Sequence, residues 1–550
     1  MLERLLRPRS IAVIGGGAWC NAVVEQNRKF GFAGNIWPVH PSRERVGGIK
    51  AFQSLDDLPA APDAAFIGVN RNATIQIVRR LQSMQAGGAI CFASGFKEAT
   101  DGASLQEDLL QAAGDMPILG PNCYGALNAL DQIALWPDQH GLMPVKSGVA
   151  IISQSSNIAI NLTMQKRGLP IAYVITIGNQ AQQGISDIAT TLLNDDRVTA
   201  LGLYIESFGD IAQFEAMALH ASKLGKPIVA YKVGRSEEAK RATLTHTASV
   251  AGISAGADAL MARLGIANAA SLAVMIETLK IFHCHGKGES LDIASLSCSG
   301  GEAAVMADTA HRAGLAFPPL NTTQQAELAR HLSPAVQLAN PLDYHTDIWR
   351  NKSALVSVFS AMAKGGAALT IIVLDFPRSD ICDADEWAVV VDAIITAADT
   401  TGKRFAVLAS LPENMPEEIA TRLIEHRIVP LCDFDQACTA IHLAASISVP
   451  VEQCVPAPPP AKTKSILSEA VAKVELEKAG LDTPEIQSGL SKDKLNQAAS
   501  TIGYPVVLKG ENIAHKTEVG AVALNIKGPQ ELQTAAAEMS AETYLVEEMI

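Results

Sequence analysis

The feature that most constrains the fold is an alternation of short apolar runs with segments of helical periodicity, which restarts three times. The first set of runs lies within residues 10–120, the second within 148–234 and the third within 292–433. Strands that alternate with helices form parallel sheets covered by helices on both faces. The pattern therefore predicts an α/β protein with three doubly wound domains, of which the second and third are alike enough to indicate a duplication.

A proline-rich stretch, SVPVEQCVPAPPPAKTK at 448–464, follows the third set and predicts an extended linker. Beyond it, one helical segment and strands such as GYPVVLKG (503–510) predict a fourth, smaller domain. Its last apolar strand runs into Ile550, so we expect this domain to be either truncated there or completed by a partner, and we favour truncation. The predicted divisions of the chain are 1–130, 146–286, 290–447, the linker 448–465 and 466–550.

Charge and cysteine usage narrow the possible functions. The chain of 550 residues has a formal net charge of −13, which argues against a general nucleic-acid binder because phosphate contacts need a basic face. Its 9 cysteines include no CxxC pair, which is typical of reduced thiols in the cytoplasm. The N-terminus lacks the apolar core of a signal peptide, and no stretch reaches the roughly 18 apolar residues of a membrane helix. We therefore expect a cytoplasmic protein that is not bound to a membrane.

One short cluster, His283-Cys284-His285, contains metal-ligating residue types. Adjacent side chains point in different directions, and no second cluster accompanies this one. A surface loop is the favoured interpretation, and the sequence assigns no metal ligands.

Glycine- and asparagine-rich turns follow the strands of the first set, where open parallel sheets form their ligand crevices. Gly15–Gly17 would leave backbone N–H groups free for a diphosphate, although a plain tight turn fits equally well. The spacing is not GxGxxG, and the second strand lacks the acidic residue that contacts the ribose of NAD. Arg43 and Arg45 nearby favour a more phosphorylated ligand. The other turns are VNRNA (69–73), ASGFKE (93–98) and GPNCYG (120–125).

The segment GRSEEAKRATLTHTASVAG (234–252) surrounds one histidine, His246, with small side chains and precedes it with cations. A helical pattern follows, so the imidazole would lie near a helix N-terminus, which stabilises anions. A neutral imidazole there can act as a nucleophile toward phosphorus. Glu206, at the end of a strand, is a carboxylate that could accept the other ring N–H and fix the tautomer. A histidine with a purely structural role is the alternative.

These segments resemble the motifs of the NDP-forming acyl-CoA synthetases, fused-subunit relatives of succinyl-CoA synthetase. The histidine segment is similar to the family's GRS…SHTG…AG motif, with Thr245 for Ser and Ala248 for Gly. GPNCYGALN, SQSSNIA, SCSGGEA and NPLDYHTD are similar to its GPNC.G..N, SQSG, SGG and NP.D segments, with Ser156 for Gly in the second. GYPVVLK…AHKTEVGAVALNI resembles the opening of an ATP-grasp domain. The motifs occur in the family's order over essentially the whole chain.

The resemblance implies a Rossmann-like CoA-binding domain, two flavodoxin-like succinyl-CoA-ligase domains and the start of an ATP-grasp domain. It implies a phosphohistidine at His246, oriented by Glu206, and the cofactors ATP, CoA and Mg²⁺. The implied CoA contacts are Gly15, Gly16, Gly17, Val69, Asn70, Ser94, Gly95, Phe96 and Asn122. The implied phosphate and acyl site uses Ser153, Ser155, Ser299, Gly300 and Gly301, and the implied ATP contacts are Lys509 and Glu547.

The implied activity is that of an ADP-forming acid–CoA ligase. It converts a carboxylic acid, ATP and CoA to acyl-CoA, ADP and phosphate through an acyl phosphate and a phosphohistidine, in an order that the sequence leaves open. We expect these small molecules as partners, together with other copies of the chain in a homo-oligomer. A CoA-binding regulatory or acyl-transfer protein is the rival, but it would lose His246 or Glu206, and both are present. The glycine spacing disfavours a dehydrogenase.

The acyl substrate is not specified, and its one sequence clue is a set of aromatic and histidine residues around the motifs. Ordinary packing also accounts for them. If they line the pocket, the substrate is larger than acetate. It is then either an aromatic acid such as a hydroxycinnamate, which would stack, or a cationic onium acid held by cation–π contact. The residues are Tyr124, Trp136, Tyr344, His345 and Trp349.

Overall fold

The computed structural model describes residues 2–99, 101–236, 238–239, 254–451, 467–513, 516–517 and 519–550. The chain forms two compact units, Met1–Gln453 and Cys454–Ile550. The first unit is built around three mainly parallel sheets, and the second around an antiparallel one. The predicted α/β class is therefore confirmed. Within the described ranges, no helix combines the length and the apolar character needed to cross a membrane.

Sheet 1 is formed by the first set of apolar runs, and its strands are parallel. Alternate residues of Ser10–Ile14 pack into two different apolar clusters, so helices cover both faces of the sheet. Its strands lie in the flavodoxin-like order 2-1-3-4-5. In spatial order they are Asn35–Val39, Ser10–Ile14, Ala64–Ile67, Ala89–Cys91 and Ile118–Leu119. The helices of this region are Leu2–Leu6, Ala18–Phe30, Arg71–Ser83 and Ala103–Ala113.

Sheet 2 has five parallel strands in the same order and, at one edge, an antiparallel hairpin that the sequence does not predict. The hairpin fixes sheet 2 to sheet 1, because the buried side chain of Asn27 donates to Ala134 O at 2.6 Å and accepts from Ala134 N at 3.0 Å. In spatial order the strands are Ala267–Asn268, Ile228–Lys232, Val198–Ile205, Gly148–Ser153, Ile171–Thr176, Ala126–Asn128 and Ile133–Leu135. The helices are Ser156–Thr163, Ile185–Leu193, Ile211–Lys223, Ser254–Arg263 and Leu272–His285.

Sheet 3 repeats the 2-1-3-4-5 order with five parallel strands. The parallel strands of the three large sheets therefore share one order, and the first unit has in addition a small antiparallel pair, Arg45–Val46 with Ile49–Lys50. In spatial order the strands are Leu342–Asp343, Ile293–Ser297, Leu369–Val373, Phe405–Ala409 and Val429–Cys432. The helices are Gly300–Arg312, Thr322–Ala329, Lys352–Ala363, Asp385–Thr401, Glu417–Glu425 and Phe434–Ser446.

A buried ion pair lies where the sheet 2 and sheet 3 domains meet. The helix Leu272–His285 carries Glu277 and Lys280, which have fully buried side chains 2.8 Å apart. Arg167 donates to Glu277 at 3.0 Å, and Cys432 N of sheet 3 donates to it at 3.1 Å. A buried charge is tolerated only when it is paired and hydrogen-bonded, because it has lost its hydration. These contacts meet that requirement and join the two domains.

The cluster His283-Cys284-His285 lies at the end of the same helix, so the predicted surface loop is wrong. Cys284 is buried, and burial lowers the pKa of both histidines to about 4, which keeps them neutral. Each ring has its own partner: His283 lies 2.9 Å from Thr199 Oγ1, and His285 lies 3.1 Å from Phe405 O. No group of metal-ligating side chains forms here or elsewhere in the part of the chain that the structure describes.

The second unit has four antiparallel strands that enclose a small apolar core. The helix after the linker and three of the strands agree with the sequence prediction. The strand Ile486–Leu490 is not predicted, because its residues IQSGL contain no apolar run. In spatial order the strands are Ile486–Leu490, Tyr544–Glu548, Val506–Gly510 and Val522–Ile526. The helices are Glu469–Lys478, Leu495–Ile502 and Pro529–Glu538.

Candidate active site

Residues at the carboxyl ends of sheets 1 and 2 line one cleft of about 780 Å³. Parallel strands direct the loops after them to one edge of a sheet, so loops from two adjoining sheets meet here. The cleft brings together six of the predicted site residues: Val69, Asn70, Ser94, Asn122, Ser155 and Glu206. Other lining side chains are not predicted from the sequence, among them Trp19, Arg71, Phe92, Gln154, Asn157 and Asn179.

Two asparagines form part of the sheet 1 side. Asn70 caps the helix Arg71–Ser83 by accepting a hydrogen bond from Ala73 N at 3.0 Å. Asn122 has a φ of 62°, a left-handed conformation that asparagine adopts more readily than most residues. Its N–H donates to Ala93 O at 3.0 Å. This bond ties the Asn122 loop to the end of the neighbouring strand.

The loop after the second strand of sheet 2 contacts the backbone of this asparagine. A Cβ on Gly178 would lie 2.3 Å from Pro121 O and 2.4 Å from Asn122 O, and the φ of this glycine is 51°. Asn179 N donates to Pro121 O at 2.9 Å. Only glycine fits this approach, so sheets 1 and 2 are held together by backbone contact beside the cleft.

The first strand of sheet 2 ends in a serine turn. Ser153 Oγ donates to Ser155 O at 2.7 Å and accepts from Ser155 N at 3.1 Å. The Ser155 side chain in turn caps the next helix. Ser156 stands where the resembling motif has glycine, and its Oγ accepts from Tyr124 N at 3.2 Å. The serine at this position therefore links the turn to the sheet 1 loop.

Glu206 follows the third strand of sheet 2 and lines the cleft. The side-chain amide of Gln154 holds the backbone there: its oxygen accepts from Glu206 N and from Ser207 N, and its nitrogen donates to Ser207 O at 3.0 Å. Lys232 is only 4% exposed and donates to Glu206 O at 2.8 Å. Burial, together with the charge of Arg235, lowers the pKa of Lys232. The carboxylate of Glu206 is thus carried on a backbone fixed from two sides.

His246 and its neighbours at 240–253 lie outside the described residues, so its pairing with Glu206 stays a prediction. The described flanks of the motif are anchored. Arg235 lies 2.7 Å from Asp258 and donates to Asn268 at 3.1 Å. These contacts connect the strand before the motif to the helix after it.

The glycine turn of sheet 1 borders a second cleft, of about 510 Å³. Gly15, Gly16 and His40 line it, and Val69 lines both clefts. The N–H of Gly15 donates to Val39 O at 3.1 Å, so the expectation that it is free for a diphosphate is wrong. A Cβ on Gly16 would lie 2.5 Å from His40 Cδ2, and a larger residue would displace that ring.

Three predicted CoA contacts are not among the described residues that line the two clefts. Phe96 is fully buried in the core of sheet 1. The N–H of Gly95 donates to Glu98 Oε1 at 2.6 Å, and its carbonyl accepts from Arg71 at 2.6 Å. Gly17 is the N-cap residue of the helix Ala18–Phe30. Phe96 and Gly95 therefore support the loop after the fourth strand of sheet 1.

Aromatic rings form one side of the first cleft. Trp19 is 45% exposed, and its ring centroid lies 5.5 Å from that of Phe92 and 6.2 Å from that of Tyr124. Phe92 and Tyr124 are 5.8 Å apart, and Trp136 is fully buried and packs edge-on against Tyr124 at 5.5 Å. We call Trp19, Phe92 and Tyr124 the aromatic wall.

The other aromatic and histidine residues singled out from the sequence belong to sheet 3. Tyr344 is fully buried in its core, and Trp349 packs edge-on against Trp387 at 5.5 Å. His345 has a φ of 58°, and its N–H donates to Asp343 at 3.0 Å. None of the three is among the described residues that line the first cleft.

The turn after the first strand of sheet 3 repeats one hydrogen bond of the sheet 2 turn, but its Ser299 side chain does not cap the helix that follows. Ser297 Oγ donates to Ser299 O at 2.9 Å. Glu302 lies in the first turn of the helix that follows, and burial together with Asp375 and Asp343 raises its pKa. The predicted phosphate contacts of this turn are Ser299, Gly300 and Gly301. They lie beside these three carboxyl groups, and they are not among the described residues that line the first cleft.

In the second unit, Lys509 and Glu547 belong to one charged network. Lys509 Nζ lies 2.6 Å from Glu547 Oε2 and 2.6 Å from Glu469 Oε1. Lys473 lies 2.8 Å from Glu547, and Lys516 lies 2.5 Å from Glu469. Burial by itself would raise the pKa of Glu469, but the hydrogen bonds and charges of Lys509 and Lys516 hold it at about 2. Three lysines face two carboxylates, which leaves an excess of positive charge suited to a polyphosphate.

Three family models match the chain in sequence order. A CoA binding domain matches residues 9–129, a succinyl-CoA ligase like flavodoxin domain matches residues 146–282, and an ATP-grasp domain matches residues 460–547. The curated relatives are ADP-forming CoA ligases. Domain by domain, this chain is similar to the NDP-forming acyl-CoA synthetases.

Its relatives within the synthetases act on different acids. The chain is 28% identical to a trans-feruloyl-CoA synthase from an unknown prokaryotic organism, over 98% of this chain and 78% of that protein. It is 26% identical to the ADP-forming 4-hydroxybutyrate–CoA ligase of Nitrosopumilus maritimus, over 96% of this chain and 79% of that one. Among solved structures, the dinucleotide-forming acetyl-coenzyme A synthetase 1 of Ca. Korarchaeum cryptofilum shares the fold, with a TM-score of 0.70 and 23% identity over 81% of this chain and 97% of that one.

The cofactors predicted from the sequence are those of this family. ADP-forming CoA ligases use ATP and CoA, and Mg²⁺ is typical of ATP-grasp domains. In the second unit, the carboxylates of Glu469 and Glu547 are both paired with Lys509. The described residues contain no cluster of three or more histidine, cysteine or carboxylate side chains that could hold a metal ion. These residues do not fit a magnesium site by themselves.

Proposed function

We propose that this chain is an ADP-forming acid–CoA ligase, which converts a carboxylic acid, ATP and CoA to acyl-CoA, ADP and phosphate. The observation that carries the proposal is the first cleft, where predicted CoA contacts of sheet 1 meet the serine turn and Glu206 of sheet 2. A ligase of this kind needs the CoA thiol and the phosphoryl carrier at one place. The family models and the ADP-forming relatives support the same activity.

The two clefts would divide CoA between them. In our proposal the nucleotide end occupies the second cleft, beside Gly16 and His40. Val69 lines both clefts, so the pantetheine arm can pass it and place its thiol in the first cleft. The thiol would then lie on the side of the cleft that carries Glu206 and Ser155.

The reaction would consist of three displacements. A ring nitrogen of His246 attacks the γ-phosphorus of ATP, and ADP leaves. An oxygen of the substrate carboxylate then attacks the phosphohistidine, which releases the imidazole and forms an acyl phosphate. The CoA sulfur finally attacks the acyl carbon, its proton passes to the medium, and phosphate leaves. Glu206 would accept the N–H of the second ring nitrogen throughout and keep the attacking nitrogen unprotonated at the start.

The remaining assignments are extensions of this proposal. We place the ligase in the cytoplasm, because the described cysteines are free thiols, which persist in a reducing compartment. Its partners would be the acid, CoA and ATP, with a homo-oligomer as the assembled form. The net charge of −13 disfavours nucleic acid as a further partner.

The direct test is to look for the phosphohistidine. The chain would be incubated either with labelled ATP or with labelled phosphate and an acyl-CoA, and acid-labile phosphate would be located by mass spectrometry. We expect label on His246, none in His246→Ala, and unchanged labelling in His220→Ala, which alters a half-buried helix histidine whose ring contacts Asn194. A chain that binds CoA and takes up no label by either route would be a CoA-binding regulatory protein, and the ligase proposal would fail.

A further inference from the structure

We infer that the aromatic wall is the acyl subsite and that it takes a carboxylic acid with a neutral aromatic tail. The inference rests on the ligase function proposed above and adds the substrate class to it. Its evidence is the position of the wall, the exposure of its rings and the charges of the cleft around them.

The wall and the serine turn are in direct contact. The backbone N–H of Tyr124 donates to Ser156 Oγ at 3.2 Å, and Ser155 and Glu206 line the same cleft as the three rings. An acid whose carboxylate lies at the serine turn, where it would be phosphorylated, therefore has its tail directed along the wall. A two-carbon acid would end before reaching most of it.

The exposure of the wall is unusual for side chains of this size. Trp19 is 45% exposed although it is large and apolar. Phe92 packs on Phe66 at 5.6 Å, and Trp136 supports Tyr124 from behind, so the rings are held in place with one side of the group open to the cleft. Rigid rings that face a cleft of several hundred Å³ are characteristic of sites that stack a planar ligand.

The charges of the cleft favour a neutral tail over an onium group. Among the described lining residues only Arg71 and Glu206 are charged. Arg71 is held by Asp101 at 2.6 Å. A cationic tail would share the cleft with this guanidinium, and its counter-charge would be Glu206, which the proposed reaction uses. A neutral ring can stack on the wall without repulsion from Arg71 and without competing for Glu206.

Product binding tests this inference without any need for turnover. The full chain would be titrated calorimetrically with CoA, acetyl-CoA, cinnamoyl-CoA and the saturated analogue 3-cyclohexylpropanoyl-CoA. Because ring stacking adds to apolar burial, we expect cinnamoyl-CoA to bind at least about tenfold more tightly than acetyl-CoA, with the cyclohexyl compound between them. A trimethylammonio-acyl-CoA should gain nothing over acetyl-CoA.

Two matched variants assign the effect to the wall. Trp19→Leu should remove most of the preference for the cinnamoyl group and leave the dissociation constant of CoA unchanged. Trp37→Leu replaces a half-buried tryptophan on an outer strand of sheet 1 and should change neither. If CoA binds but the aromatic acyl group adds no affinity, if the onium compound binds best, or if Trp19→Leu weakens all ligands alike, the inference is overturned while the ligase proposal stands. If CoA does not bind at all, both fail.

Discussion

The serine turns of sheets 2 and 3 share one hydrogen bond and have different surroundings. Ser153 and Ser297 end the first strand of sheets with the same strand order, and each donates to the carbonyl two residues later, at 2.7 and 2.9 Å. The turn of sheet 2 lines a cleft in which Glu206 is the one carboxylate among the described lining residues. The turn of sheet 3 lies beside Glu302 and two aspartates. Local sequence therefore sets the shape of such a turn, whereas its fitness for an anion depends on charges from distant parts of the chain.

The largest expected difference between the two regions concerns their glycines. Gly178→Ala, beside the sheet 2 turn, should lower the free energy of unfolding by about 3 kcal/mol, because its Cβ would overlap two carbonyl oxygens at a positive φ. CoA affinity should fall with it, since the Asn122 loop is displaced. Gly301→Ala, in the sheet 3 turn, meets its nearest atom at 3.5 Å and should be tolerated. Urea denaturation measures the free energy of unfolding, and titration measures the affinity for CoA. Equal losses of unfolding free energy in Gly178→Ala and Gly301→Ala would contradict this prediction.

A second pair of variants tests the hydrogen bond that the two serine turns share. Ser153→Ala and Ser297→Ala each remove a buried hydroxyl that donates to a backbone carbonyl, so each should cost about 1–2 kcal/mol of unfolding free energy. Ser153→Ala should also weaken CoA binding, and Ser297→Ala should leave it unchanged. Ser153→Ala should cost more within this range, because Ser153 Oγ also accepts from Ser155 N. A larger stability loss for Ser297→Ala would contradict this prediction.

The smallest expected effect tests the acidic surroundings of the sheet 3 turn. The raised pKa of Glu302 means that folding favours its protonated form. The corresponding stability is fully present below the unfolded pKa of about 4.3, and it is lost as pH rises through the higher folded pKa. Glu302→Gln should therefore raise Tm by about 1–2 °C at pH 7 and have no effect near pH 4.

Glu107→Gln, at an exposed helix position in the sheet 1 domain, makes the same charge change without a buried cluster around it. The difference in Tm between Glu107→Gln and the unsubstituted chain should be the same at pH 4 and at pH 7. A Glu302→Gln variant that loses stability at pH 7 would show that the ionised carboxylate has a favourable partner after all.

The strands that sequence patterns predict are those with long buried runs. Gly148–Ser153 and Ile171–Thr176 are buried at every residue, so their apolar runs are unmistakable. The edge hairpin of Ala126–Asn128 and Ile133–Leu135 has strands of three residues, and its stability comes from pairing with sheet 2 and with Asn27. Short strands of this kind depend on tertiary partners, which single-sequence periodicity does not contain.

The site shows the same division between local and tertiary information. Loops at strand ends predict Asn70, Asn122 and Glu206 because parallel topology brings such loops to one edge. Trp19 and Phe92 belong to no motif, and their importance follows from their distances to Tyr124. Conversely, Phe96, a predicted CoA contact, is fully buried in the core. Membership of a motif does not distinguish a residue that contacts a ligand from one that supports the loop.

The buried pair of Glu277 and Lys280 limits how this chain can be divided. A cut between residues 286 and 290, where sequence periodicity places a domain boundary, would leave both charges on one fragment and Cys432, which donates to Glu277, on the other. The first fragment would expose Glu277 and Lys280, which are buried in the intact chain, and it would tend to aggregate or remain unfolded. A gene fission or domain exchange that preserves function would therefore keep the sheet 2 and sheet 3 domains together, so that the two behave as a single heritable module.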